Sequence, residues 1–281
     1  MQTFAAFDGT TLAYHEQGHG TPLICLPGGP GRASAYFGDL GGLSAHRRLI
    51  LLDNRGTGNS AVPEDPSSYR CDRLVDDVEA LRLHLGLERL DLLAHSAAGN
   101  IATLYAARHP ERLHRLVLVA PGWRATDLEF TDEEWLSTMH RRADEPWYAD
   151  AYAAILRIEA GEVTAENWRA ASPFYFGRWS AAAAEFTDTD EAQRAPEAEA
   201  GFRVPGAFGD PAETRAALAS LTAPVLVIGG ELDPAPTVRL LRELTALFPQ
   251  GRLVIQPDAG HMPWIDDPAA FVATVTGFLA A

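Results

Sequence analysis

Lysine is missing altogether from this 281-residue chain: all 23 basic residues are arginine, set against 38 acids. With so much alanine alongside, the bias reflects the codon usage of a GC-rich genome and says little about chemistry. The resulting net charge of −15 says more, because it argues against a nucleic-acid partner, which would demand a basic patch. Cysteine is nearly absent as well. Cys25 lies inside an apolar run and Cys71 where a helix is expected to begin, which argues for free thiols rather than a disulfide. No apolar run approaches the length of a membrane span, and the opening MQTFAAFDGT has neither the basic end nor the apolar stretch of a signal peptide. A membrane partner is therefore not expected, and the cytoplasm is the expected location.

What is present is an ordinary globular composition, 47% apolar and 22% charged, on a chain long enough for one large α/β domain or two domains. The segment TFAAFDGTTLAYHE alternates around Asp8-Gly9, a strong hairpin signal, and predicts two antiparallel strands at the start. The rhythm then changes. PLICLP, RRLILLD, RLDLLA, RLVLVAP, APVLVIGG and RLVIQPD are short runs rich in Leu, Val and Ile, most of them separated by helix-like segments such as RLVDDVEALRLHLG and TVRLLRELTALFP. That alternation predicts an α/β fold with a mostly parallel central sheet flanked by helices.

From Thr126 to Val204 the alternation stops, and the segment reads as helices broken at Pro146, Gly161, Pro173 and Pro196. We read residues 126–204 as an inserted helical cap on a core made of 1–125 and 205–281. It carries 17 acids against 7 arginines, and it holds Trp135, Trp147, Trp168, Trp179, Tyr148, Tyr152 and Tyr175. Solvated helix faces account for such charge, and core packing for most of the aromatics, with a few expected to line an apolar pocket between cap and sheet.

Chemistry concentrates in ERLDLLAHSAAGNIATLYAARHP, which reads as a strand, a sharp turn at Ser96, and a helix. Serine becomes a nucleophile when a base takes its proton, and a strained strand-to-helix turn holds its oxygen clear of the backbone. Such an elbow needs small residues two positions before and after the serine. Ala94 and Ala98 meet that need, with Gly99 easing the helix start. A helix-capping serine would look similar, so context decides. Asp233, just past the strand in VLVIGGELDPAP, and His261, just past the strand in LVIQPDAGHMPW, follow Ser96 in the order Ser, acid, His. Loops at the carboxyl ends of parallel strands build the sites of α/β sheets, so all three are expected on one edge.

Over nearly its whole length the chain resembles the α/β-hydrolase family: opening hairpin, elbow, cap position, acid and histidine. LPGGPG at 26–31 and DNRGTGNS at 53–60 resemble the H-G-G-P-G and D-Q-R-G-x-G-x-S motifs of its prolyl iminopeptidase branch. The resemblance implies an oxyanion hole made by the backbone N–H of Gly29 in the glycine loop and of Ala97 after the nucleophile. Pro27 and Asn54 stand where the branch has histidine and glutamine. His95 and Ala97 flank the serine where it has glycine and tryptophan, closer to the G-H-S-x-G of esterases, and EAEAGF at 197–202 does not reproduce its amine-gripping glutamates.

Several rival signals have simpler readings. His15 to His19 spells H-E-x-x-H, but zinc binding needs both histidines on one helix face and this stretch is expected to be a hairpin strand leading into a glycine loop. Pro30 interrupts the spacing a phosphate-cradling glycine turn would need. Glu231 and Asp53 are the alternative acids to Asp233, Arg55 is expected to brace its loop, and His95 to be structural or pocket-lining. The expected function is a serine hydrolase acting on an ester or amide of a small, mostly apolar substrate, with Ser96 as nucleophile, His261 as base and Asp233 as orienting acid. No metal or organic cofactor is implied, and no signal bears on oligomeric state. Three classes stay open: an aminopeptidase or aminoacyl-amide hydrolase; an esterase, lactonase or thioesterase; and a lyase, cyclase, transferase or receptor on the same scaffold.

Overall fold

The computed structural model describes residues 1–280. Eight strands, β1 (Gln2–Ala5), β2 (Thr11–Gln17), β3 (Pro22–Leu26), β4 (Arg48–Leu52), β5 (Leu90–His95), β6 (Leu113–Val119), β7 (Val225–Gly230) and β8 (Gly251–Gln256), form one sheet in the order β1-β2-β4-β3-β5-β6-β7-β8. β1 and β2 are an antiparallel hairpin around Asp8-Gly9, and β2 also runs antiparallel to β4. Gly9 supplies the positive φ (86°) that the turn needs. Every other pairing is parallel.

The apolar runs are strands because both faces of the sheet are covered, which lets nearly every side chain be apolar. Ile24, Ile50, Leu92, Leu116 and Val227 point to one face, where they meet helices α1 (Cys71–His84) and α2 (Ala98–Arg108). Leu23, Leu49, Leu93, Val117 and Ile228 point to the other and meet Phe37, Trp264 and Phe271. Cys25 and Cys71 are both buried and free.

Between β6 and β7, residues 126–204 form five α-helices: α3 (Asp132–His140), α4 (Tyr148–Glu159), α5 (Ala165–Ala171), α6 (Ala181–Asp188) and α7 (Pro196–Phe202). Pro196 opens α7 rather than breaking a helix, in keeping with proline at a first helical position, where its missing N–H is unneeded. Trp135, Trp147, Tyr148 and Tyr152 pack around Phe174 and Ile155 in a small cluster of their own. The remaining helices are α8 (Pro211–Leu218), α9 (Val238–Ala246), α10 (Pro263–Asp266) and α11 (Pro268–Ala280).

Residues 126–204 are fastened to the loops after β7 and β8 and to α9 by backbone as well as by charge. Arg141 pairs with Glu231 at 2.8 Å, and Arg239 pairs with Glu134. Gly177 lies so close to the loop after β8 that an added Cβ would overlap the carbonyl oxygen of Asp258. Gly177→Ala is therefore expected to destabilise the protein by about 1 to 3 kcal/mol, read as a lowered thermal midpoint with unchanged secondary structure.

Candidate active site

Ser96 follows β5 directly and holds a left-handed φ of 52°, a conformation that costs a non-glycine residue roughly 1 to 3 kcal/mol and persists only where the surroundings enforce it. Here they do: the Ser96 N–H donates to the Val119 carbonyl at 3.0 Å, and the Ser96 carbonyl accepts from Gly99 at 2.8 Å and Gly122 at 2.7 Å. Ala94 and Ala98 are buried, as an elbow requires. Gly99 has a stricter reason to be glycine than easing a helix start, since an added Cβ would sit 2.5 Å from the Pro121 side chain. Gly28 closes the other side, where a Cβ would lie 2.7 Å from Ser96 Cβ.

His261, in the loop after β8, brings Nε2 to 2.8 Å from Ser96 Oγ and Nδ1 to 2.7 Å from Asp233 Oδ2. Asp233, in the loop after β7, is 1% exposed, and its Oδ1 accepts the Ala235 N–H at 3.0 Å. Because a carboxylate only accepts, the Nδ1 proton points at Asp233 and leaves Nε2 free to accept from the serine hydroxyl. The His261 N–H donates to the Tyr175 carbonyl at 2.8 Å, and Asp266 Oδ2 accepts the Gly260 N–H at 2.8 Å. Burial raises the Asp266 carboxyl above its ordinary range, against the opposing effect of N–H donors from Gly260, Gly177 and Arg178.

The glycine loop sits beside the elbow. The Gly28 N–H is occupied, donating to Tyr36 Oη at 2.8 Å. Among the described residues neither the Gly29 N–H nor the Ala97 N–H donates a hydrogen bond within the chain. Gly29 has a φ of 110°, which only glycine adopts readily.

These groups open on a cavity of about 320 Å³. Trp168, Tyr175, Phe176, Phe186 and Met262 supply its apolar wall, and Arg32, Asp190 and Arg194 its polar one. Asp190 pairs with Arg32 at 2.9 Å and with Arg194 at 2.5 Å, and the Arg32 guanidinium lies over both the Tyr36 and the Phe186 rings at 4.6 and 4.4 Å. Arg194 also donates to the Gly29 carbonyl at 3.1 Å, so a residue far along the chain braces the glycine loop.

The other candidates lie elsewhere. Glu231 is turned toward Arg141. Asp53 is buried and accepts from the Ser34 N–H, Ser34 Oγ and Asn59 N–H at 2.7 to 2.9 Å, which makes it the organiser of its own loop. Arg55 is committed to Asp77 and Asp8. His15 lies on β2 and contacts Asp53 at 3.1 Å, whereas His19 is exposed beyond the strand, so the two histidines do not share a helix face. His95 is both buried and cavity-lining. The Arg32–Asp190 pairing and the Tyr36–His95 contact carried no sequence signal, because each joins residues far apart in the chain.

Comparison with known proteins agrees with this architecture. Residues 21–268 match the family model described as alpha/beta hydrolase fold. The chain is 25% identical over 277 residues to a proline iminopeptidase of Heyndrickxia coagulans, covering 95% of this chain and 93% of that one. Among solved structures, proline iminopeptidase of Mycobacterium smegmatis superposes with a TM-score of 0.74 at 26% identity, over 99% of this chain and 98% of that one. The enol-lactonase of Burkholderia xenovorans superposes with a TM-score of 0.69 at 26% identity, over the whole of both chains. With the family model spanning most of its length, and the sheet order and the loops after β5, β7 and β8 already described, the chain belongs to the α/β-hydrolase fold family.

Proposed function

We propose that the protein is a serine hydrolase of the prolyl iminopeptidase type, cleaving an ester or amide bond of a small, mostly apolar substrate. One observation carries this reading: the hydrogen-bonded chain Asp233, His261, Ser96 at the floor of the cavity. Ser96 Oγ attacks the carbonyl carbon while His261 Nε2 takes its proton. Asp233 keeps the imidazole in the accepting tautomer and stabilises the imidazolium that forms. The oxygen of the tetrahedral intermediate is held by the N–H groups of Gly29 and Ala97, which have no partner among the described residues, and the N-terminus of α2 adds a favourable field. His261 then delivers the proton to the leaving amine or alcohol, and a water activated by the same histidine releases the acyl group. Residues 126–204 act as the cap, contributing Trp168, Tyr175, Phe176 and Phe186 to the apolar wall. That wall favours an apolar acyl side chain.

The relatives named as proline iminopeptidases support an amide substrate with a free amino terminus. A second reading, an esterase, lactonase or thioesterase, is favoured by the state of Asp190. An ammonium group entering the cavity would meet a carboxylate already shared between two arginines. The test compares rates on proline and alanine arylamides with rates on short and medium acyl esters. Arylamide turnover is the expected result for the first reading, and ester turnover without any arylamide turnover rejects it in favour of the second.

A further inference from the structure

We infer that Tyr36 and His95 are positioning residues, a buried pair that ties the glycine loop to the backbone of His261 and so holds oxyanion donor, nucleophile and base in one register. The inference rests on the serine-hydrolase reading of Ser96 and His261. Three hydrogen bonds make the link: Gly28 N–H to Tyr36 Oη at 2.8 Å, Tyr36 Oη to His95 Nδ1 at 2.8 Å, and His95 Nε2 to the His261 carbonyl at 3.0 Å.

The proton positions along this chain follow from its ends. A backbone carbonyl only accepts, so His95 Nε2 carries a proton. The neutral ring then has a bare Nδ1, so the tyrosine hydroxyl donates to it. That leaves the tyrosine oxygen free to accept from Gly28, whose N–H can only donate. All three bonds are satisfied by one arrangement and by one tautomer.

The surroundings keep that arrangement neutral. His95 is 4% exposed, with its ring 4.8 Å from that of Trp264 and 4.9 Å from that of His261. Burial first, and the charge of its neighbour His261 second, hold the imidazole well below the ordinary histidine range; Arg32 acts in the same direction, and the bond to the His261 carbonyl opposes it. Burial likewise raises the Tyr36 hydroxyl above the ordinary tyrosine range, so it stays a donor. The consequence appears during turnover. When His261 takes the serine proton, a second cation at that separation would oppose the transfer, whereas neutral His95 adds no charge and donates to the carbonyl of the base. Together with the bond from the His261 N–H to the Tyr175 carbonyl at 2.8 Å, both polar groups of that backbone are fixed. At the other end, anchoring the Gly28 N–H fixes the Pro27–Gly28 peptide, one unit before the peptide that carries the Gly29 N–H.

The test uses p-nitrophenyl acetate as the probe. Tyr36→Phe removes one oxygen and leaves the Gly28 N–H and His95 Nδ1 buried without partners. It is expected to lower kcat by about tenfold to a hundredfold with KM within about twofold of wild type. His95→Gln restores a donor near the Nε2 position, whereas His95→Asn cannot reach the His261 carbonyl, so the glutamine variant should retain the larger kcat. A Tyr36→Phe enzyme with kcat within about twofold of wild type, a loss confined to KM, or equal kcat for the two His95 variants overturns the inference. A measurement on the unaltered protein needs no variant to fold: nitrogen NMR of His95 should show a proton on Nε2 and a bare Nδ1 from about pH 5 to about pH 8. Observation of the other tautomer or of an imidazolium in that range overturns it too. Ser96→Ala separates the two levels. If that variant turns the ester over at the wild-type rate, the hydrolase reading fails; if it is inactive while Tyr36→Phe and His95→Gln keep full kcat, only the positioning role fails.

Discussion

Ser96→Ala is expected to lower kcat by about 10³- to 10⁶-fold while the fold and substrate binding survive. The substitution removes a single oxygen. The bonds made by the Ser96 backbone are all to other backbone groups: the Ser96 N–H to Val119, and the Ser96 carbonyl from Gly99 and Gly122. Alanine bears the left-handed φ of 52° about as well as serine does, so stability should stay within about 0.5 kcal/mol of wild type. Rate and binding are therefore expected to separate cleanly. Steady-state kinetics beside a thermal melt reads both, and near-wild-type turnover by Ser96→Ala would remove the assignment of the nucleophile and with it the proposed reaction.

Asp233→Asn should cost on the order of 10⁴ in kcat, for a reason written in the second oxygen of that carboxylate. Oδ1 accepts the Ala235 N–H at 3.0 Å, and an amide N–H can only donate. An asparagine at this position must therefore keep its carbonyl oxygen on the Ala235 side and turn its NH₂ toward His261. That NH₂ offers a proton to Nδ1, which had been donating at 2.7 Å. The imidazole is driven into the tautomer protonated on Nε2, where it can no longer accept from Ser96. Glu231→Gln is the control, since Glu231 is partly exposed and engaged with Arg141, and exposed pairs contribute at most about 1 kcal/mol. Its kcat should stay within about twofold of wild type. Comparable losses for the two substitutions would show that the acid had been assigned to the wrong residue.

The sheet was legible in the sequence because its physics is local. A strand covered on both faces has no polar side, and runs such as VLVIGG and RLDLLA announce that directly. The placement of Ser96, Asp233 and His261 on one sheet edge was legible for the same reason, since they lie one, three and five residues past such runs. Contacts between distant parts of the chain were not. Nothing in PGGPGR foretells that Arg32 will share Asp190 with Arg194, and nothing around Tyr36 foretells its bond to His95. The arginine pairing depends on how α6 and the segment after it settle over the glycine loop, and helix packing leaves only a weak trace in periodicity. Gly99 is an intermediate case. Its position pointed to the elbow, but the reason for glycine lies in Pro121 across the turn.

The bond from the His261 N–H to the Tyr175 carbonyl has a consequence for how this scaffold can be altered. Tyr175 lies in the segment between β6 and β7, as do Gly177 and Arg178, whose N–H groups share the Asp266 carboxylate with Gly260. That segment is therefore not an exchangeable module that could be trimmed or grafted to retune selectivity while the base stays put. Any swap has to retain the stretch from Tyr175 to Arg178 as part of the recipient framework, with splice points drawn on either side of it.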